Sequence, residues 1–141
     1  MIEIEIDGKL VNANPGETLI TVTDREGISV PRFCYHKKLS VSASCRMCLV
    51  DVEGAPKPQP ACSTPIAEGM KVHTKNEQAK SSQKAVMEFL LINHPLDCPI
   101  CDQGGECELQ DVAVEYGSDV SRFSEGKRVI AQGDIGPLIQ T

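Results

Sequence analysis

Apolar and polar residues alternate from the start of the chain. Ile2, Ile4 and Ile6 point one way and Glu3 and Glu5 the other, the period of two of a half-buried strand. Asp7-Gly8 is a two-residue hairpin turn, and Lys9 to Ala13 supplies the return strand. Pro15-Gly16 interrupts the pattern. Glu17 to Glu26 then predicts a short helix with Leu19, Val22 and Thr23 on its inner face, stopped by Gly27. The β-branched run from Ile20 to Thr23 works against that helix. Residues 33–48 carry neither period and read as an irregular loop holding three cysteines. Leu49 to Glu53 predicts a short strand. Pro56, Pro58 and Pro60 forbid regular structure after it, and Lys71 to Thr74 predicts one more strand.

The period changes between Asn76 and Asn93. Good helix formers fill this stretch, with Ala79, Val86, Phe89, Leu90 and Asn93 recurring at three and four, and Pro95 ends it. Glu108 to Tyr116 predicts another helix with Leu109, Val112, Ala113 and Tyr116 on one face and Gly117 as its stop. Residues 118–141 are polar with no period, and no internal repeat is present. The order predicts an α+β fold, in which a helix crosses a small mixed sheet and a helical extension begins near residues 75–80.

Composition sharpens this picture. The 141 residues suit one small domain with an appendage. No Trp, three Phe and two Tyr make a lean core that needs another source of stability. Fourteen basic against twenty acidic residues give a net charge of −6, which argues against a nucleic-acid partner and against docking on anionic lipid. No apolar run is long enough to insert into a membrane. The first residues lack the basic start and apolar run of a signal peptide, so the expected setting is a reducing compartment. There, seven cysteines point to metal or redox chemistry rather than disulfides.

Cys34, Cys45, Cys48 and Cys62 run as C-x10-C-x2-C-x13-C. Two residues between Cys45 and Cys48 let both thiolates face one metal. The order matches plant-type 2Fe-2S ferredoxins with a longer first loop, and the upstream hairpin and helix agree with it. The alternatives are a four-cysteine zinc site, which usually pairs two close knuckles, and unligated thiols. His94, Cys98, Cys101 and Cys107 run as H-x3-C-x2-C-x5-C, with Gly104-Gly105 allowing a tight curl. Spacing alone leaves this group open between zinc and a His-ligated 4Fe-4S cluster, with His94 as a plain helix-end residue the bland reading. His36 and His73 have no such context and read as ordinary residues.

The segments Cys34-Tyr35-His36, Cys45-Arg46-Met47-Cys48-Leu49-Val50, Ala61-Cys62-Ser63-Thr64-Pro65, the block from Asn93 to Asp111, and Asp134-Ile135-Gly136-Pro137-Leu138-Ile139 together resemble one family. That family is the large iron–sulfur subunit of NADH-quinone oxidoreductase, respiratory complex I. The resemblance implies a 2Fe-2S ferredoxin-like (β-grasp) domain over 1–78, a His/Cys-ligated 4Fe-4S-binding domain over 79–118, and a linker over 119–141. It implies a 2Fe-2S cluster on Cys34, Cys45, Cys48 and Cys62 and a 4Fe-4S cluster on His94, Cys98, Cys101 and Cys107. The family subunit continues far beyond residue 141, so the chain reads as a fragment.

The implied role is electron relay within an ion-translocating NADH:quinone oxidoreductase. Electrons would come from NADH and FMN on partner subunits, pass through both clusters and neighbouring iron–sulfur subunits, and reach quinone. The implied location is peripheral, on the cytoplasmic face of a bacterial inner membrane. Similar modules in NAD-linked hydrogenases and formate dehydrogenases are the alternative setting, and a zinc-stabilised interaction module is the non-redox one. Gly104-Gly105 follows no strand and lacks a third glycine, so no dinucleotide fingerprint is present and no catalytic residue is assigned. The chain alone is not expected to turn over NADH.

Overall fold

The computed structural model describes residues 1–128. Strands β1 (Ile2–Ile6) and β2 (Lys9–Ala13) form the expected hairpin, in register from Ile2 opposite Ala13 to Ile6 opposite Lys9. Its turn needs two residues at positive φ, and Asp7 (49°) and Gly8 (84°) supply them. The Asp7 carboxylate also accepts from the Thr74 amide at 2.7 Å and its hydroxyl at 2.5 Å, tying the turn to the residue that follows His73, much later in the chain.

Helix α1 (Leu19–Arg25) is shorter at both ends than the predicted 17–26. It buries Leu19, Ile20, Val22 and Thr23, one residue more than the predicted stripe. The buried Thr23 hydroxyl donates to the Ile20 carbonyl at 3.0 Å, so no polar group is stranded there. The Thr18 side chain does not cap the helix. Instead the Leu19 and Ile20 amides donate to the carbonyls of Thr64 and Ala61, each at 3.0 Å. Those carbonyls flank Cys62, so the helix start holds that cysteine's turn in place.

Strands β3 (Leu49–Val52), β4 (Gln59–Pro60) and β5 (Lys71–His73) complete a five-stranded sheet in the order β2-β1-β5-β3-β4. β5 lies parallel to β1 and antiparallel to β3, and β4 is antiparallel to β3. The short β4 corrects the expectation that three prolines exclude regular structure. Pro60 sits on an edge strand, where a missing N–H breaks no ladder bond. Ile4, Ile6, Leu19, Ile20, Val22, Val50 and Val72 form the centre of one core with Cys48 and Cys62 inside it.

Helix α2 (Glu77–Leu91) is capped by Asn76, whose side chain accepts from the Ala79 amide at 2.9 Å. Its buried stripe is Ala79, Gln83 and Met87, one residue every four. Of the predicted face only Ala79 is buried, and Phe89 is 74% exposed. Gln83 replaces the expected apolar contact with a hydrogen bond, its Nε2 donating to the Leu49 carbonyl at 2.9 Å. This carbonyl belongs to the residue after Cys48, so α2 is bolted to the first cysteine group. Helix α3 (Glu108–Tyr116) packs against α2 and has the predicted bounds. Residues 118–128 form neither helix nor strand, yet Arg122 grips Glu88 on α2 through two 2.7 Å bonds. The segment 134–139 lies outside the described residues.

Candidate metal centres

The first group is assembled by the sheet and the loop before it. Cys48 directly precedes β3 and Cys62 closely follows β4. The Leu49–Pro60 pairing and an Ala61 amide donating to the Cys48 carbonyl at 2.9 Å bring the two together. Both are buried, while Cys34 and Cys45 are half-buried at the edge of the site. The loop curls through left-handed residues, Ala43 at φ 51° and Arg46 at φ 59°. Such backbone is costly for non-glycine residues and turns successive amides inward. The Cys45 amide donates to Cys34 Sγ and the Met47 amide to Cys45 Sγ, each at 3.5 Å. Arg32 anchors the loop's start by pairing with Asp24 at 2.7 Å and lying 5.6 Å over the Tyr35 ring.

The thiols differ in acidity for physical reasons. Burial raises Cys34, but hydrogen bonds from Cys45 and Ser44 outweigh it and leave its pKa at about 7. Burial pushes Cys48 up to about 12, with the neighbouring Cys62 and Cys45 sulfurs adding to the rise. A cysteine binds metal as its thiolate, so a metal taken up at Cys48 would displace that proton.

The second group surrounds one cavity of about 440 Å³. His94, Cys98, Cys101 and Cys107 all line it, with Leu91, Leu96, Ile100 and Leu109 as its apolar wall. His94 follows the end of α2. Cys98 opens a 3-10 turn, Cys98–Ile100, and Cys107 is the N-cap of α3. Gly104 lets the loop close: a Cβ there would stand 2.5 Å from the Cys98 carbonyl oxygen and 3.1 Å from that of Cys101. The Gly105 amide donates to Gln110 Oε1 at 3.0 Å, fastening the loop to α3. The donors are spread around a space rather than converged on a point. Soft donors in that arrangement fit a multi-iron cluster, whose irons take their protein ligands separately.

Neither His36 nor His73 lines the second cavity. His36 accepts from the Lys38 amide at 3.2 Å, and His73 meets Glu53 at 3.0 Å. Sequence reasoning missed Gln83 and Arg46. A glutamine inside a helical stripe was the one available signal; a left-handed arginine gives none.

Residues 1–77 match the family model of the 2Fe-2S iron-sulfur cluster binding domain. The chain belongs to that family. Residues 83–122 match the NADH-ubiquinone oxidoreductase-G iron-sulfur binding region, so the ferredoxin-like domain is followed by a 4Fe-4S-binding region. Over 141 residues the chain is 50% identical to the NADH-ubiquinone oxidoreductase 75 kDa subunit of Reclinomonas americana, covering all of this chain and 20% of that protein. It is equally similar, at 50% over 141 residues, to an NADH-quinone oxidoreductase subunit of Rickettsia felis, covering all of this chain and 21% of the relative. The chain thus spans about a fifth of the length of the curated relatives it matches. A solved NAD+-reducing NiFe-hydrogenase in the H2-reduced state has a chain of like fold, with a TM-score of 0.76 at 26% identity. The match covers 90% of this chain and 55% of that one.

Proposed function

We propose that the chain is an electron-relay segment of an NADH:quinone oxidoreductase of the complex I type. Cys34, Cys45, Cys48 and Cys62 hold a 2Fe-2S cluster, and His94, Cys98, Cys101 and Cys107 hold a 4Fe-4S cluster. The working division is 1–78 for the first site, 79–118 for the second and 119–141 for a linker. Each cluster, when bound, supplies a site that takes up and releases one electron. The chain's own residues exclude water, aim amides at sulfur and fix the charge at each site. His94 places a neutral imidazole where a thiolate would stand, leaving the second site one unit less negative and favouring its reduced form.

The observation that carries this reading is the 50% identity along the whole chain to iron–sulfur subunits of that complex. The second cysteine group agrees with it, since all four donors line one cavity. The partners are then subunits bearing NADH and FMN and neighbouring iron–sulfur subunits, with quinone as the distant acceptor. The segment sits peripherally at the cytoplasmic face of a bacterial inner membrane; no helix among the described residues is long and apolar enough to cross one. The hydrogenase likeness supports a second setting in which the same two sites serve an NAD-linked hydrogenase, and the lower identity makes it the weaker one.

Anaerobic reconstitution with iron and sulfide tests the proposal. About six irons per chain and two reducible signals in electron paramagnetic resonance (EPR) are expected. Stoichiometric zinc in a colourless protein would overturn it in favour of an interaction module. NADH alone is expected to reduce neither site.

A further inference from the structure

Lys127 lies in the aperiodic segment 118–128 and is half-buried. Its Nζ donates to the carbonyls of Leu91 at 2.6 Å and Ile92 at 3.0 Å. These are terminal carbonyls of α2, which the helix itself leaves without partners. α2 has no basic residue in its own last turn, so Lys127 supplies the cation that a helix C-terminus favours. The next amide, of Arg128, donates to Asn93 Oδ1 at 2.9 Å. Two consecutive residues therefore clamp Leu91, Ile92 and Asn93, and the residue after these is His94. Leu91 and His94 line the same cavity. Arg122 holds the segment to α2 one turn upstream, through Glu88.

We propose that Lys127 is a positioning residue for His94. By binding the last carbonyls of α2 it sets where the helix ends, and so aims the imidazole at the second site. Its positive charge beside that site favours the reduced cluster. This rests on the reading of His94 as a cluster ligand, and the test separates the two.

The full chain is reconstituted as the parent, K127M and K127R. The second cluster is followed by its EPR midpoint and by the nitrogen hyperfine coupling from the imidazole. K127M is expected to alter or lose that coupling. Its midpoint should also fall, lowering the ratio of reduced to oxidised clusters at the parent midpoint roughly tenfold, or 59 mV for a one-electron couple. K127R, which keeps charge and donors, is expected to retain both properties. A nitrogen-coupled parent with an unchanged K127M overturns the proposal alone. A parent without nitrogen coupling overturns the ligand reading and the proposal with it. Should K127M bind no second cluster, amide exchange in the metal-free proteins decides. Faster exchange at Leu91 and Ile92, with α1 and β5 unchanged, supports the clamp; equal exchange overturns it.

Discussion

Gly104→Ala adds one methyl group at a tight backbone approach beside the second site. The new Cβ would stand 2.5 Å from the Cys98 carbonyl oxygen, where ordinary contact begins near 3.4 Å, so one of them must retreat by about 0.9 Å. The carbonyl is not free to do so. It accepts the Cys101 amide at 3.3 Å, and the Cys101 carbonyl in turn accepts the Gly104 amide at 2.9 Å. Relief therefore distorts the turn carrying two of the four donors. Forcing a methyl into such a space costs about 1–3 kcal/mol, and losing the turn bond adds about 0.5–1.5 kcal/mol. A total of about 1.5–4.5 kcal/mol leaves roughly 10- to 2000-fold fewer loops in the shape that binds a cluster. After anaerobic reconstitution, iron should fall from about six towards about two per chain, with the 2Fe-2S signal intact. Gly126→Ala, where nothing lies within 4 Å of the added Cβ, should load as the parent does. A Gly104→Ala protein with full iron and an unchanged second spectrum would refute the reasoning.

Other outcomes follow from the same geometry. His94→Ala should lose or destabilise the second cluster and spare the first, whereas His94→Cys should lower the second midpoint by about 43 mV for each kcal/mol of added repulsion; redox-titrated EPR reads both. In metal-free protein at pH 8, iodoacetamide should modify Cys34, whose pKa is about 7, and leave Cys48, at about 12, untouched. Labelling of Cys34 should slow as pH falls below 7 and its thiolate is protonated; equal labelling of the two by peptide mass spectrometry would contradict the assignment. Asp7→Ala removes two bonds to Thr74 at once and should destabilise the sheet domain by about 2 kcal/mol in a denaturant titration.

The hairpin and α3 were legible because local chemistry decides them: Asp7-Gly8 meets the positive φ of its turn, and Gly117 stops the last helix. The face of α2 was not, because counting apolar residues cannot see a buried glutamine that finds a carbonyl. Val86, Phe89 and Leu90 carried the pattern, while Ala79, Gln83 and Met87 carry the burial. The pairing of β1 with β5 joins residues more than sixty positions apart, beyond the reach of any local signal. At the centres, spacing marked the cysteines and the glycine curl, since both are short-range. What turns the amides inward, Arg46 at positive φ, is imposed by the surrounding fold and leaves no trace in composition.

The position of β5 bears on how the molecule is made. It is the last of the five strands in sequence and the middle one in space, between β1 and β3. Until it leaves the ribosome, the sheet exists only as two separate ribbons, β1 with β2 and β3 with β4, each marginal in water. All of Cys34, Cys45, Cys48 and Cys62 emerge before the strand that joins those ribbons. During synthesis the first cysteine group is therefore complete in sequence while its walls are still apart.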